Sequence, residues 1–368
     1  MSLIGNLFKP VDQTRSSISV SSGSVPFIIT SGQALPNHLI GASEALRNSD
    51  LYAVTSLISA DIAGAKFKGD QITSNLLNNP SKDVSRYTFW QTFILNLLLT
   101  GNAFAVIKRD PSGQAIELIP VKSSEVVIDQ NDVTGVITYQ VNATNVNVSG
   151  TYQQSDVIHA RIMAYGDNYL QSLLGHSPLE SLTNELQRQA SANKLSLSLI
   201  SNALAPTGLL KLPEAGQMSE STKESVREKF EKANAGDNVG KVIILDETAS
   251  FSTIEVNADL AKYLTQLDWG RTQIAKAFGI PDSYLNGNGD AQSSLEMITE
   301  LYINGLNKYI EPITSEINFK MGSDVKLDMQ GIIDYSGQKS VNNMINLVDK
   351  GIVAPQEAHD KLASRGLI

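Results

Sequence analysis

Cysteine is absent from the 368-residue chain, and histidine occurs only four times, at His38, His159, His176 and His359. The first absence excludes disulfides, thiol nucleophiles and cysteine-held metals, and it fits a reducing compartment. The four histidines form no i, i+4 pair and no H-E-x-x-H arrangement, so the sequence offers no histidine metal site. Neither the G-x-x-x-x-G-K-[ST] phosphate loop nor the G-x-S-x-G nucleophile elbow is present. The run Asn286-Gly287-Asn288-Gly289-Asp290 has a superficial likeness to a calcium loop. It lacks the alternating acidic ligands and the bidentate glutamate such a loop needs, which leaves a polar, glycine-rich connection. Asp246 and Glu247 follow an apolar stretch read as a strand. With no second acid pair or basic partner nearby, they read as a turn and not as catalytic carboxylates. No cofactor is expected.

Other shortages bound the class. Charged residues make up 18% of the chain and acids outnumber bases, giving a net charge of −9. A protein that grips nucleic acid by counterion release normally carries a basic face, so this balance argues against tight binding. No run approaches the roughly 20 apolar residues of a membrane helix; the longest, residues 93–99, is broken by Asn96. The start, MSLIGNLFKP, has no basic segment followed by a long apolar one, so no secretory signal is expected.

What is present is a globular chain, 42% hydrophobic, long enough for two or three domains. Residues 1–49 are rich in Ser, Gly, Asn and Pro and read as a flexible arm. Residues 50–65 read as a helix capped by Asp50. Trp90, Phe93, Ile94, Leu97 and Leu98 then recur at helical spacing behind Ser85, a good N-cap, and Gly101 stops that helix. Residues 102–109 read as a strand, Asp110-Pro111-Ser112-Gly113 as a turn, and residues 115–119 as a second strand. Three more strands are expected at 126–128, 136–141 and 157–162. Ser177-Pro178-Leu179-Glu180 combines a serine N-cap, proline at the first helical position and glutamate at the third. It opens a helix expected to reach Leu204, whose low charge suits contacts on several sides.

A small α/β segment follows, with strands at 209–212 and 242–245 around a helix at 219–233. On that helix Lys223, Arg227, Lys229 and Lys232 interleave with Glu220, Glu224, Glu228 and Glu231, the pattern of a solvated, self-paired face. A second long helix is expected over 259–278, ended by Gly279 and Pro281. A third starts at the Ser293–Glu296 box and runs towards Phe319, with Pro312 expected to kink it. Two short helices, 338–349 and 355–364, close the chain.

The order helix, GNA, strand, D-x-x-G turn, strand, LIP over residues 85–127 resembles the N-terminal half of tailed-phage portal proteins, in the shorter family typical of phages with long non-contractile tails. Further blocks match in order: VTSLISADIA from Val54, DVIH from Asp156, GHSPLE from Gly175, PTG from Pro206, GKVIIL from Gly240, IAKAFGIP from Ile274 and GIVAPQE from Gly351. The resemblance implies an α+β portal-type fold. Its parts would be an α/β wing (50–175), two long stem helices (176–204 and 257–281) bracketing a small α/β clip (205–256), a tunnel loop (282–293), and a kinked helix leading to a helical crown (294–368).

It also implies a role, that of a ring, usually of twelve subunits, at one capsid vertex. Double-stranded DNA would pass through non-specifically during packaging and ejection, and an acidic surface suits sliding without sticking. Implied partners are the terminase large subunit, the major capsid and scaffold proteins and a head-completion adaptor, with no membrane. The implied location is the virion, and the host cytoplasm during assembly. Asn286, Asn288, Asp290 and Gln292 would line the channel. Leu179, Leu186, Arg188, Lys194, Lys262 and Arg271 would build the stem, and Lys223, Arg227 and Lys229 would meet the motor or adaptor at the clip. The competing readings are a capsid or tail scaffold without a channel, and an enzyme with an unrecognised site.

Overall fold

A computed structural model describes residues 15–19, 27–30, 33–36, 45–131, 133–143, 147–204, 208–211, 219–233, 250–253, 268–286, 295–334, 337–364 and 366–367. The chain divides into two units, one formed by residues 1–183 and 274–368, the other by residues 184–273.

The first unit opens with β1 (Arg15–Ser19), β2 (Phe27–Thr30) and β3 (Gln33–Pro36). There follow α1 (Ser49–Gly64), β4 (Lys66–Gly69), α2 (Gln71–Asn78) and α3 (Arg86–Thr100). Six strands come next: β5 (Asn102–Arg109), β6 (Ala115–Val121), β7 (Val126–Asn131), β8 (Ile137–Val141), β9 (Gly150–Gln153) and β10 (Val157–Arg161). They form two antiparallel sheets, ordered β1-β7-β8-β9 and β10-β5-β6. Phe104, Val106, Val121, Ile128, Tyr139 and Val157 share the buried core of these strands. The apolar run of α3 forms a second core, in which Phe89, Trp90, Phe93, Ile94, Leu97 and Leu98 are all buried.

Several expectations needed correction. The segment read as a flexible arm contributes β1, which pairs along the edge of β7 from Arg15↔Asn131 to Ser19↔Val127. RSSIS carries one apolar residue, so it has too little alternation to announce a strand, and the open edge of β7 supplies the missing drive. Asn48, not Asp50, caps α1, its side-chain oxygen accepting from the amides of Asp50 (3.0 Å) and Leu51 (3.1 Å). The pairing of β4 with β13 (Val325–Asp328) joins segments far apart in sequence. Asn78 locks one of these strands by bonding both the N–H (3.1 Å) and the carbonyl (2.9 Å) of Phe67. Asn318 does the same to Val325, at 2.8 and 3.0 Å. The strand expected at 242–245 lies outside the described residues.

At the end of α3 the chain turns through Gly101, which has φ +77° and donates its N–H to the Leu97 carbonyl (2.9 Å). A Cβ on Gly101 would stand 2.6 Å from the backbone of Gly175, and one on Gly175 would stand 2.2 Å from the Gly101 carbonyl oxygen. The two glycines thus let main chains 74 positions apart touch, where any side chain would collide.

A buried polar network secures this contact. Asn102 donates its amide to the carbonyls of Thr100 and Gly175 (2.9 Å each) and accepts the Gly175 N–H at 2.8 Å. His159 Nε2 lies 3.0 Å from Asn102 Oδ1, and His159 Nδ1 lies 3.2 Å from the Tyr139 hydroxyl. With the asparagine oxygen fixed as acceptor, Nε2 donates, and Nδ1 accepts from Tyr139, which is the neutral imidazole. Burial, helped by the positive charges of Arg161 and Lys320, holds the His159 pKa well below its usual 6.5. Burial likewise pushes Tyr139 up to about 12, keeping its proton available for that bond.

Truncating Asn102 to alanine would leave the buried His159 nitrogen and both polar groups of Gly175 unpaired, at about 1–3 kcal/mol for each lost partner. An Asn102→Ala variant is therefore expected to lose at least about 3 kcal/mol in urea unfolding, provided two-state behaviour holds. The pH dependence has a definite sign. Folding depresses the His159 pKa, so below about 6.5 the unfolded chain takes up the proton first and stability falls as the pH drops. Between about pH 7 and about pH 5, the urea midpoint of the wild type should fall more steeply than that of His159→Gln.

Candidate ring and channel elements

The contact between Gly101 and Gly175 sets the start of α4 (Pro178–Leu204). Ile162 donates its N–H to the Gly101 carbonyl (3.0 Å), and His176 donates its own to the Ile162 carbonyl (2.8 Å). Ser177 then donates its hydroxyl to the Leu98 carbonyl (2.7 Å) and accepts the Leu179 amide (3.1 Å). Glu180 Oε1 receives the Ser177 amide at 3.3 Å, the glutamate half of the expected capping box, while the serine hydroxyl takes the second helical amide instead of the third. The helix is thus capped and bolted to the end of α3 by one serine.

Along α4, Leu179 and Leu186 are 4% and 6% exposed. Both are buried within the subunit. Arg188 and Lys194 are exposed, and Arg188 forks onto Glu185 with contacts of 2.8 and 2.7 Å. Asn184, Gln187, Arg188, Ser191, Ala192 and Leu195 line one shallow concavity. Their spacing of three and four places them on a single helical stripe, largely polar.

The second unit adds β11 (Gly208–Lys211), α5 (Glu220–Ala233) and β12 (Ser250–Thr253), with β11 and β12 antiparallel. Lys223 and Arg227 are exposed and paired with Glu220 and Glu224 at 2.8 and 2.5 Å, and Lys229 is exposed. This is the self-paired face the alternation of signs implies. Lys262 lies outside the described residues, which show the second long helix as α6 (Asp268–Phe278), with Arg271 exposed.

The end of α6 belongs to the first unit. Gly279, at φ +69°, closes it, with its N–H on Lys276 and the Ile280 N–H on Ala275. The terminal carbonyls are taken up by α8 (Leu295–Met321). Lys308 Nζ reaches the Ala277 carbonyl (3.3 Å) and the Tyr309 hydroxyl donates to Phe278 (2.9 Å). A Cβ on Gly305 would lie 2.2 Å from the Gly279 carbonyl oxygen. Lys308 and Tyr309 thus hold two successive carbonyls, and Gly305, one turn earlier, leaves room for the third.

The stretch expected to be all loop, 282–293, begins instead as a short helix, α7 (Asp282–Asn286). Tyr284 of α7 stacks on Tyr302 with ring centroids 4.1 Å apart, and the Tyr302 hydroxyl donates to Asp61 Oδ2 of α1 at 2.6 Å. Burial raises the Asp61 pKa, an effect that hydrogen bond only partly offsets. Asn286 ends α7, while Asn288, Asp290 and Gln292 lie outside the described residues. The residues that root this segment, Asp61, Tyr284, Tyr302, Gly305 and Tyr309, went unnoticed in the sequence. The 302/305/309 spacing was the available signal, but in one dimension it reads as ordinary helix core.

Pro312 lies inside α8, which continues through it to Met321, with Ile310, Ile313 and Ile317 buried. Beyond it stand β13, α9 (Gln330–Ile333), α10 (Gln338–Asp349) and α11 (Pro355–Ala363). Among the described residues no group of three or more His, Asp or Glu side chains is placed to hold a metal ion, and no helix is long and apolar enough to cross a membrane.

A family model described as phage portal protein matches residues 49–362. The chain is 27% identical over 273 residues to the probable portal protein of Streptomyces phage phiC31, a match covering 69% of this chain and 57% of that protein. Its fold is similar to a chain in the neck of a native gene transfer agent particle computed with C12 symmetry, with a TM-score of 0.59, 18% identity, and coverage of 87% of this chain and 92% of that one. It is also similar to a portal protein of the HK97 phage family from Corynebacterium diphtheriae, with a TM-score of 0.59, 15% identity, and coverage of 79% and 96%. At these identities the likeness to solved structures is one of fold, whereas the family match spans most of the chain. This chain belongs to the phage portal protein family.

Proposed function

We propose that the chain is one subunit of a ring at a single capsid vertex, through which double-stranded DNA enters during packaging and leaves during ejection. The observation that carries this reading is the portal family match over residues 49–362. The related neck chain solved with C12 symmetry supports a ring, with twelve as the expected number. Closed rings need a heterologous contact that repeats. The α4 stripe of Asn184, Gln187, Arg188 and Ser191 is exposed and polar, and suits such a contact. Arg271 and Lys262 belong to the same proposed stem. Residues 205–256 form the proposed clip, with Lys223, Arg227 and Lys229 facing the terminase large subunit and later a head-completion adaptor. The major capsid and scaffold proteins complete the expected partners. The assembled protein resides in the virion, and the host cytoplasm is where assembly would occur. The role is mechanical, with no catalytic step assigned to any residue.

The proposed tunnel segment, with Asn286, Asn288, Asp290 and Gln292, follows the rooted α7. A net charge of −9 and an acidic, amide-rich tip suit brief contacts with phosphate oxygens without a counterion-release grip. The base of that segment is fixed by Tyr284 on Tyr302 and by Tyr309 on Phe278.

Two outcomes check this reading. Purified protein imaged by negative stain should show rings with a central hole. The double substitution Gln187→Glu, Ser191→Glu should convert them to smaller species while the thermal midpoint of the subunit stays within a few degrees. A strictly monomeric wild type at high concentration would contradict the proposal. In a packaging assay, replacing Asn286, Asn288 and Asp290 with lysine should leave rings assembled but reduce the DNA packaged or ejected, because each added cation can pair with phosphate. Unchanged packaging and ejection would remove the segment from the mechanism.

A further inference from the structure

His176 sits between two pinned residues, Gly175 against Gly101 and Ser177 on the Leu98 carbonyl. Its imidazole, 43% exposed, points away from that joint and bridges two groups. Nδ1 lies 2.8 Å from Glu180 Oε2 in the first turn of α4, and Nε2 lies 3.0 Å from the carbonyl oxygen of Tyr165. Both partners are acceptors, one a carboxylate and the other a main-chain carbonyl. A neutral imidazole carries one N–H and would turn a lone pair on whichever acceptor it left unbonded, whereas the imidazolium satisfies both. We infer that His176 is a proton-operated clamp, fastening residues 163–169 to the first turn of α4 when charged and releasing the Tyr165 end when neutral.

The surroundings agree with this assignment. Glu180 is the charged group acting on the ring, and its other oxygen is held by the Ser177 amide. On the β10 side, the Arg161 guanidinium turns instead to the Leu173 carbonyl (3.2 Å). In the loop, the Asp167 amide bonds Gln171 (3.2 Å). Burial of the ring opposes its charge, but the bonds to Glu180 and Tyr165 outweigh that cost, so His176 titrates above its ordinary 6.5. With the carboxylate retaining the remaining N–H, the contact given up on deprotonation is the one to Tyr165.

The clamped segment is costly to hold. Met163 adopts φ +50°, a left-handed conformation unfavourable for a non-glycine residue, and is 82% exposed. Tyr165 and Tyr169 are 71% and 60% exposed. The far side of the segment is tied by its own turn, where the Gln171 amide bonds Asn168 Oδ1 (2.8 Å) and the Ser172 hydroxyl bonds the Tyr169 carbonyl (2.6 Å). Release therefore frees the end bearing Met163 and Tyr165 and leaves the turn standing.

The test pairs an NMR titration of the histidine Cε1–H signals, assigned with His176→Gln, with hydrogen exchange of amides 163–171 corrected for intrinsic pH dependence. His176 should ionise above 6.5, and exchange in this segment should rise about tenfold through that pKa, the equivalent of one hydrogen bond to a charged group. His176→Gln should exchange at the fast level at every pH. Glu180→Gln, which keeps an acceptor for the Ser177 amide, should move the transition to lower pH, and it decides the matter if His176→Gln folds poorly. A His176 that titrates at or below 6.5, or exchange that stays flat while His176 titrates, overturns the clamp.

Discussion

Gly101 and Gly175 approach so closely that neither has room for a Cβ, and what the fold does on either side of that contact follows from it. On one side the apolar helix α3 stops and the central strand β5 begins. On the other the chain rises into α4 through Ser177. Asn102 makes the contact a bonded one, because its single side chain serves both polar groups of Gly175 and orients His159. The network is buried and fully paired, which is the condition under which a polar cluster in a core fixes one geometry instead of weakening it. The start of α4 is thereby held firmly against the end of α3.

A second constraint acts at the other end of the proposed stem. Helix termini leave carbonyls without partners. At the end of α6 those carbonyls are taken by Lys308 and Tyr309, with Gly305 permitting the approach. The short helix α7 is then held by the stack of Tyr284 on Tyr302, itself bonded to Asp61. The proposed tunnel segment therefore leaves from a rigid root. A base held in this way suits the role proposed for that segment.

Local signals in the sequence were read well wherever one residue type carries one physical role. Ser85 and Ser177 cap helices because their hydroxyls reach unpaired amides, and Gly101 and Gly279 end helices because they accept positive φ. The alternation of Lys and Glu on α5 foretold a self-paired surface. Assignments failed where the deciding partner is distant. The weak strand β1 exists through the edge of β7, and β4 exists through β13, neither of which leaves a trace in its own few residues. The spacing of Leu179 and Leu186 left open what covers them, and tertiary packing buries both within the subunit.

The same division holds for function. The order of motifs along the chain determined the family and with it the class of machine, because those blocks are local and survive in sequence. The absence of cysteine and of phosphate-loop and elbow motifs set the excluded chemistry. Tertiary structure decided the joints: that Asn102 bonds Gly175, that His176 spans two acceptors, that Tyr302 finds Asp61. Apart from the i, i+4 pair of His176 and Glu180, each of these joins residues whose sequence separation carries no periodicity, so no pattern of hydrophobicity or propensity encodes it. They are fixed only when main chains come close enough for a hydrogen bond, a condition met in the folded molecule and nowhere along the string.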